Sequence, residues 1–166
     1  MCSLNNVIFM QFYKPSWKKI TELCSDVADR VVESNFSPDL LIGISRGGLV
    51  PVRLLSDYLG VKNVAIIRIE FYTKVGETKT NPEITQPLSV DVSGKKVLIV
   101  DDIADSGNSL LTAKNYLKEK GASEIKTATL HYKSSSLIKP DYYSEGTTAW
   151  VVYPWEKEET EREIRE

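Results

Sequence analysis

The chain is poor in everything that would build a disulfide framework or a metal cluster. Its 166 residues include only two cysteines, Cys2 and Cys24, and one histidine, His131. These spacings match no zinc-ligand pattern, and two isolated cysteines suit a reducing cytoplasm. No apolar run approaches the roughly 20 residues needed to span a bilayer, so no membrane partner is expected. Val7–Met10 is too short for the apolar core of a secretory leader and follows no basic segment, so export is not expected either. A net charge of −2 argues against a broad nucleic-acid-binding surface. With no internal repeat and no linker composition, the length suits one domain with a sizeable core.

What is present is an alternation of strand and helix patterns. Val7–Tyr13 reads as a short strand. Ser16 then caps a helix whose Trp17, Ile20, Leu23, Cys24, Val27 and Val31 share one face. Leu40–Ile44 is a strand running into Ser45-Arg46-Gly47-Gly48. A helix follows over 49–59, with Pro51 in its first turn and Gly60 as its stop. Further strands are expected at Val64–Phe71, Val97–Val100 and Ile125–Tyr132, with a helix over Ser109–Lys120 ended by Gly121. The stretch Tyr72–Pro87 lacks apolar periodicity and is expected to be a loop. This order predicts an α/β fold with a mostly parallel twisted sheet flanked by helices, and ligands beyond the carboxyl ends of the strands. Glu156–Glu166 is almost wholly charged and reads as a solvated helix or frayed tail without assigned chemistry.

The segment richest in chemistry is Val97-Leu98-Ile99-Val100-Asp101-Asp102-Ile103-Ala104-Asp105-Ser106-Gly107-Asn108-Ser109. A buried strand ends in two carboxylates, and a loop of small residues then opens a helix. Ser106, Gly107, Asn108 and Ser109 offer backbone N–H groups and hydroxyls with little bulk, which suits a phosphate at a helix N-terminus. Asp101 and Asp102 would repel that phosphate. As acceptor-only groups they suit vicinal hydroxyls such as those of a ribose. A plain helix cap accounts for one acidic residue, not for the doublet and the loop together. Ser45, Arg46, Gly47 and Gly48 form a second anion-binding loop by the same physics, with Arg46 supplying forked donors.

The Asp101–Ser109 segment resembles the phosphoribosyl-pyrophosphate signature of the type I phosphoribosyltransferases. Ser-Arg-Gly-Gly-Leu-Val-Pro is similar to the pyrophosphate loop of the xanthine–guanine branch, and Trp150–Glu156 to that branch's C-terminal base-binding segment. The resemblance implies a type I phosphoribosyltransferase fold over residues 1–155, with a flexible lid loop, a small base-binding segment and a charged tail at 156–166. It implies purine salvage. Phosphoribosyl pyrophosphate and guanine, hypoxanthine or xanthine would give the nucleoside 5′-monophosphate and pyrophosphate. Ser45, Arg46, Gly47, Asp101, Asp102, Asp105, Ser106, Gly107, Asn108 and Ser109 would bind the donor. Asp105 would exchange a proton with purine N7. Lys133 would donate to O6, Trp150 would stack on the base, and the Val151 backbone would meet the purine edge. Tyr72–Pro87 would be the lid, and of Lys74 and Lys79 the latter is preferred for the departing pyrophosphate.

Mg2+ is implied with Asp102 as its protein contact, held chiefly by the substrate. A homodimer or dimer of dimers is implied as well. His131 and Trp155 read as structural. The alternatives are an adenine or pyrimidine phosphoribosyltransferase, or a non-catalytic regulator of the same fold that senses phosphoribosyl pyrophosphate. The absence of an added basic segment speaks against the last of these.

Overall fold

The computed structural model describes residues 11–73 and 80–165. In chain order they form β1 (Phe12–Tyr13), α1 (Trp17–Glu33), β2 (Leu40–Ser45), α2 (Leu49–Leu59), β3 (Val64–Thr73), β4 (Thr80–Gln86), β5 (Lys96–Ala104), α3 (Asn108–Glu119), β6 (Glu124–Tyr132), β7 (Tyr142–Gly146) and β8 (Trp150–Val151). A single 3-10 turn at Pro154–Glu156 then leads into α4 (Lys157–Arg165). No helix among the described residues is long and apolar enough to cross a membrane.

Six strands make one sheet in the order β4-β3-β2-β5-β6-β7. All neighbours are parallel except β4, which lies antiparallel along β3 at the edge. Period-two alternation splits the apolar strand residues between two cores. Leu41, Leu98, Val100, Ala128 and Leu130 face α1 and α2, where Ile20, Leu23, Cys24, Val27, Val52 and Leu55 meet them. Leu40, Ile42, Ile44, Val97 and Ile99 face α3, through Leu110, Ala113 and Leu117. Gly43 lets α2 sit close, since a Cβ there would lie 2.8 Å from Val52 Cγ1.

Two expectations need correction. Trp17 does not join the α1 core face; it is 55% exposed and its ring packs on Trp155 instead. The stretch after Phe71 is not simply a loop, because β3 continues to Thr73 and Thr80–Gln86 returns beside it as β4. Pro82 and the lack of apolar alternation hide this strand, but both are tolerated at an exposed sheet edge.

Chain direction across the sheet reverses between β2 and β5. From β2 the chain moves outward to β3 and β4, and from β5 it moves the other way to β6 and β7. Such a switch point leaves a crevice beyond the carboxyl ends of the two central strands. The loops 45–48 and 105–107 both open there.

Candidate active site

The helices at the crevice begin differently from α1. At α1, Ser16 accepts a hydrogen bond from the Lys19 N–H at 3.2 Å, an ordinary side-chain cap. Helices α2 and α3 begin at Gly48 and Gly107, and neither cap supplies a side-chain hydrogen bond. In α2 the Gly48 and Leu49 N–H groups are already bonded to the Ile44 and Arg46 carbonyls and Pro51 has none, so it is chiefly the first turn of α3 that presents backbone donors to the crevice. Asp105 is not the cap of α3, so the simple structural role for it fails. Gly107 has φ +82°, and a Cβ there would press on Ser136 and Ile138, so glycine is required on both counts. In the loop after β2 the Ser45–Arg46 peptide is cis. A Cβ on Gly47 would overlap the Asp102 carboxylate, and one on Gly48 the Val100 carbonyl. The glycines thus let the loop after β2 lie against the end of β5.

A cavity of about 560 Å³ fills the crevice, within the size range of small-molecule sites. Ser45, Arg46, Gly47, Asp101, Asp102, Asp105, Ser109, Lys133, Trp150 and Val151 all line it. Ser106 and Gly107 line an adjoining niche of about 70 Å³ that shares Asp101, Asp105 and Ser109. Asn108 lines neither cavity, and its N–H is bonded to Ser106 Oγ at 3.3 Å. Lys74 and Lys79 lie outside the described residues.

Asp101 and Asp102 are both buried. The Asp102 N–H donates to Asp101 Oδ1 at 2.9 Å, and the Ile103 N–H to Asp102 Oδ1 at 2.7 Å. Burial, and then the neighbouring Asp102 charge, push Asp101 well above the usual carboxylate range. Burial and then the Glu156 charge lift Asp102 to about 7. Cations or hydroxyl donors entering the site would relieve both. The donor set fits Mg2+, since it consists of hard carboxylate oxygens. No group of three or more acidic, His or Cys side chains gathers around a metal position among the described residues, so substrate oxygens would have to complete the shell.

Beyond β5 the base-side residues converge. Lys133 Nζ lies 3.0 Å from Asp105 Oδ2 and 5.9 Å from the Trp150 ring centroid. Lys133 is largely buried while Asp105 is exposed, so the ammonium is held in place against the mouth of the site. Trp150 is half exposed and lines the cavity. β8 is held by the Trp150 N–H to Gln11 O and the Val152 N–H to Tyr13 O, both at 2.8 Å. Alternation along the strand turns the backbone groups of Val151 the other way.

Several residues at the site went unread in the sequence. Glu156 and Glu159 line the cavity, and Glu159 Oε1 pairs with Arg46 Nη2 at 2.8 Å. The charged C-terminal run therefore reaches the site as helix α4. Its acidic positions 156, 159 and 163 share a helical face, the one signal the sequence carried. Trp155, read as a core residue, lines the cavity and stacks on Tyr153 with centroids 4.7 Å apart. His131 is fully buried as expected, and burial pulls its pKa down to about 4.

A crevice at the switch point, two glycine-started helices and a carboxylate doublet make up the candidate ligand site of this α/β fold. The chain belongs to the phosphoribosyl transferase domain family, whose model matches residues 16–160. It is 27% identical to the hypoxanthine-guanine phosphoribosyltransferase of Schizosaccharomyces pombe, over 88% of this chain and 89% of that enzyme. The crystal structure of a purine phosphoribosyltransferase from Pyrococcus horikoshii superposes with a TM-score of 0.80 at 37% identity, covering 88% of this chain and 94% of that one. The xanthine-guanine-hypoxanthine phosphoribosyltransferase of Helicobacter pylori, at 22% identity and a TM-score of 0.77, shares the fold over 92% of this chain and 99% of its own.

Proposed function

We propose that this protein is a purine-salvage phosphoribosyltransferase that joins a 6-oxopurine to phosphoribosyl pyrophosphate, releasing pyrophosphate. The observation that carries this reading is the placing of Lys133 between Asp105 and Trp150. The three are joined by a 3.0 Å ion pair and a 5.9 Å cation–ring approach at the edge of the carboxylate-lined cavity. A purine stacked on Trp150 would set its six-membered-ring edge against a cation. Guanine, hypoxanthine and xanthine offer a carbonyl oxygen there, whereas adenine offers an amino group that a lysine ammonium repels. The relatives' names agree with this choice.

The donor's ribose hydroxyls lie on Asp101 and Asp102, its 5′-phosphate on Ser106, Gly107, Asn108 and Ser109, and its pyrophosphate on Ser45, Arg46 and Gly47. Asp105, alongside the Lys133 ammonium, takes the N7 proton as N9 bonds to the anomeric carbon and pyrophosphate leaves. Mg2+ bound by the donor's oxygens, with Asp102 as protein contact, would stabilise charge on the leaving group. The substrates suit a cytoplasmic enzyme, and the assembly we infer is a homodimer or a dimer of dimers.

A base panel tests this reading. With phosphoribosyl pyrophosphate and Mg2+, guanine, hypoxanthine or xanthine should be converted to its mononucleotide, and adenine, uracil and orotate should not. Turnover of adenine or a pyrimidine alone, or of no base at all, would refute it.

A further inference from the structure

The base-side segment and the ribose-side carboxylates are joined by a buried polar chain that none of the roles above requires. Tyr153 lies two residues after Val151 and three after Trp150 and is fully buried. Its ring stacks on Trp155, and its hydroxyl reaches back into the sheet. The hydroxyl donates to the carbonyl of Asp102 at 3.1 Å and lies 2.7 Å from Nδ1 of the equally buried His131. A phenol has a single proton. Once that proton serves Asp102, the short contact to His131 is satisfied only if the imidazole donates from Nδ1. His131 Nε2 is then the bare ring nitrogen, and in accord with this it has no hydrogen-bond partner among the described residues. The nearest charge it faces is Glu145 Oε2 at 3.8 Å, itself on the Lys19 ammonium.

The location explains why such a donor is needed. β5 pairs with β2 only as far as Val100. The Asp102 carbonyl lies beyond that pairing, in the stretch where β5 has parted from β2 but still runs beside β6 to Ala104 and carries its carboxylates into the cavity. A buried carbonyl there requires a partner from elsewhere. Tyr153 supplies it from the segment that carries Trp150 and Val151.

We propose that Tyr153, oriented by His131, is a positioning residue that couples occupancy of the base subsite to the set of the Asp102 carboxylate. The proposal rests on the reading of Trp150–Val151 as the base subsite and of Asp102 as a donor ligand. A purine seated on Trp150 fixes the Trp150–Trp155 segment. Through one hydroxyl that segment fixes the peptide after Asp102, and with it the carboxylate on the ribose. Base and donor should therefore bind with positive cooperativity, and the hydroxyl should carry a share of it.

The test uses the full chain and four proteins: the parent, Tyr153→Phe, His131→Leu and His131→Asn. Phe keeps the ring that stacks on Trp155. Asn keeps an N–H close to the position of Nδ1, while Leu does not. The dissociation constant of phosphoribosyl pyrophosphate with Mg2+ is measured by calorimetry, alone and with saturating 9-deazaguanine, whose carbon at position 9 forms no C–N bond. Thermal melts run alongside.

In the parent, the base analogue should tighten donor binding severalfold. In Tyr153→Phe and His131→Leu that factor should fall towards one, and KM for the donor should rise about fivefold with a smaller change in kcat. His131→Asn should retain most of the parental factor. A purely structural role would lower the melting temperatures of Tyr153→Phe and His131→Leu and leave the cooperativity factor at its parental value, which would overturn the proposal. If Tyr153→Phe does not fold, the contrast between Leu and Asn at position 131 decides alone, and equal factors in those two overturn it. A parent that binds neither ligand removes the underlying functional reading and the proposal with it. A parent that turns over 6-oxopurines but shows no cooperativity removes the proposal only.

Discussion

The loops after β2 and after β5 leave adjacent parallel strands at the same end of the sheet, yet they are made from opposite materials. The first is nearly all backbone, two glycines and a serine with one guanidinium. The second follows two carboxylates on the end of β5 and opens with a third, Asp105, ahead of its small residues. Each starts a helix at a glycine without a side-chain cap. They also differ in how their charge is held. Arg46 is exposed and paired with Glu159 of α4, whereas Asp101 and Asp102 are buried, each accepting from the backbone N–H of the residue that follows it. The guanidinium is therefore adjustable and can exchange one anion for another. The carboxylates are fixed and carry a desolvation cost until a ligand arrives. One loop grips; the other holds a geometry.

The sharpest way to break this division is at the point where the first loop meets the end of β5. Gly47→Ala would drive a methyl group into the Asp102 carboxylate and displace the fixed element. We expect kcat/KM for the donor to fall about a hundredfold or more, since displacements of about 1 Å cost that much. Steady-state kinetics on folded protein checks it, and near-parental activity would mean that the contact is irrelevant.

Next in size is Lys133→Met, which removes the cation at the base edge and leaves the chain's bulk. KM for guanine should rise about tenfold with a smaller effect on donor KM, and discrimination against adenine should weaken. Equal losses for donor and base would place Lys133 outside the base subsite.

Asp102→Asn sharpens the claim that the second loop stores desolvation cost. The folded-state pKa of about 7 lies above the ordinary aspartate value of 3.8, so the folded protein binds more protons than the unfolded chain between those values. Stability is complete below about pH 4 and declines as pH rises to about 7. The ligand-free variant should therefore melt several degrees above the parent at pH 8, with the gap closing near pH 4. A variant that melts lower at pH 8 would contradict the stored cost.

The smallest effect concerns the adjustable loop. Glu159→Gln removes the anion that occupies Arg46, an exposed pair of modest strength. Donor KM at low salt should drop about twofold, with the difference fading as ionic strength rises. A rise in donor KM would show that Glu159 assists Arg46 rather than competing for it.

How much of this was legible follows the same line. The parallel strands β2, β3, β5 and β6, though not β7, three of the helices and both loops could be read because period-two and 3.6 patterns, Gly stops and small-residue loops are local signals. Ser16 capped its helix as its residue type foretold, and Lys133 and Trp150 line one cavity. β4 was not legible because an exposed edge strand needs no apolar alternation. The reach of α4 into the site and the role of Tyr153 were missed for a different reason. The Glu159–Arg46 contact spans 113 residues and Tyr153–Asp102 spans 51. Charge and aromatic patterns report which face a residue takes, not which partner meets it.

The central claim is that the second loop both holds the donor and, at Asp105, acts on the base. Asp105→Asn separates the two, with kcat for guanine and the dissociation constant for phosphoribosyl pyrophosphate measured on the same preparation. The account predicts kcat reduced about a hundredfold or more, as loss of a positioned proton acceptor does, with donor affinity within about threefold of the parent. An unchanged kcat, or a loss explained wholly by weakened donor binding, would contradict it.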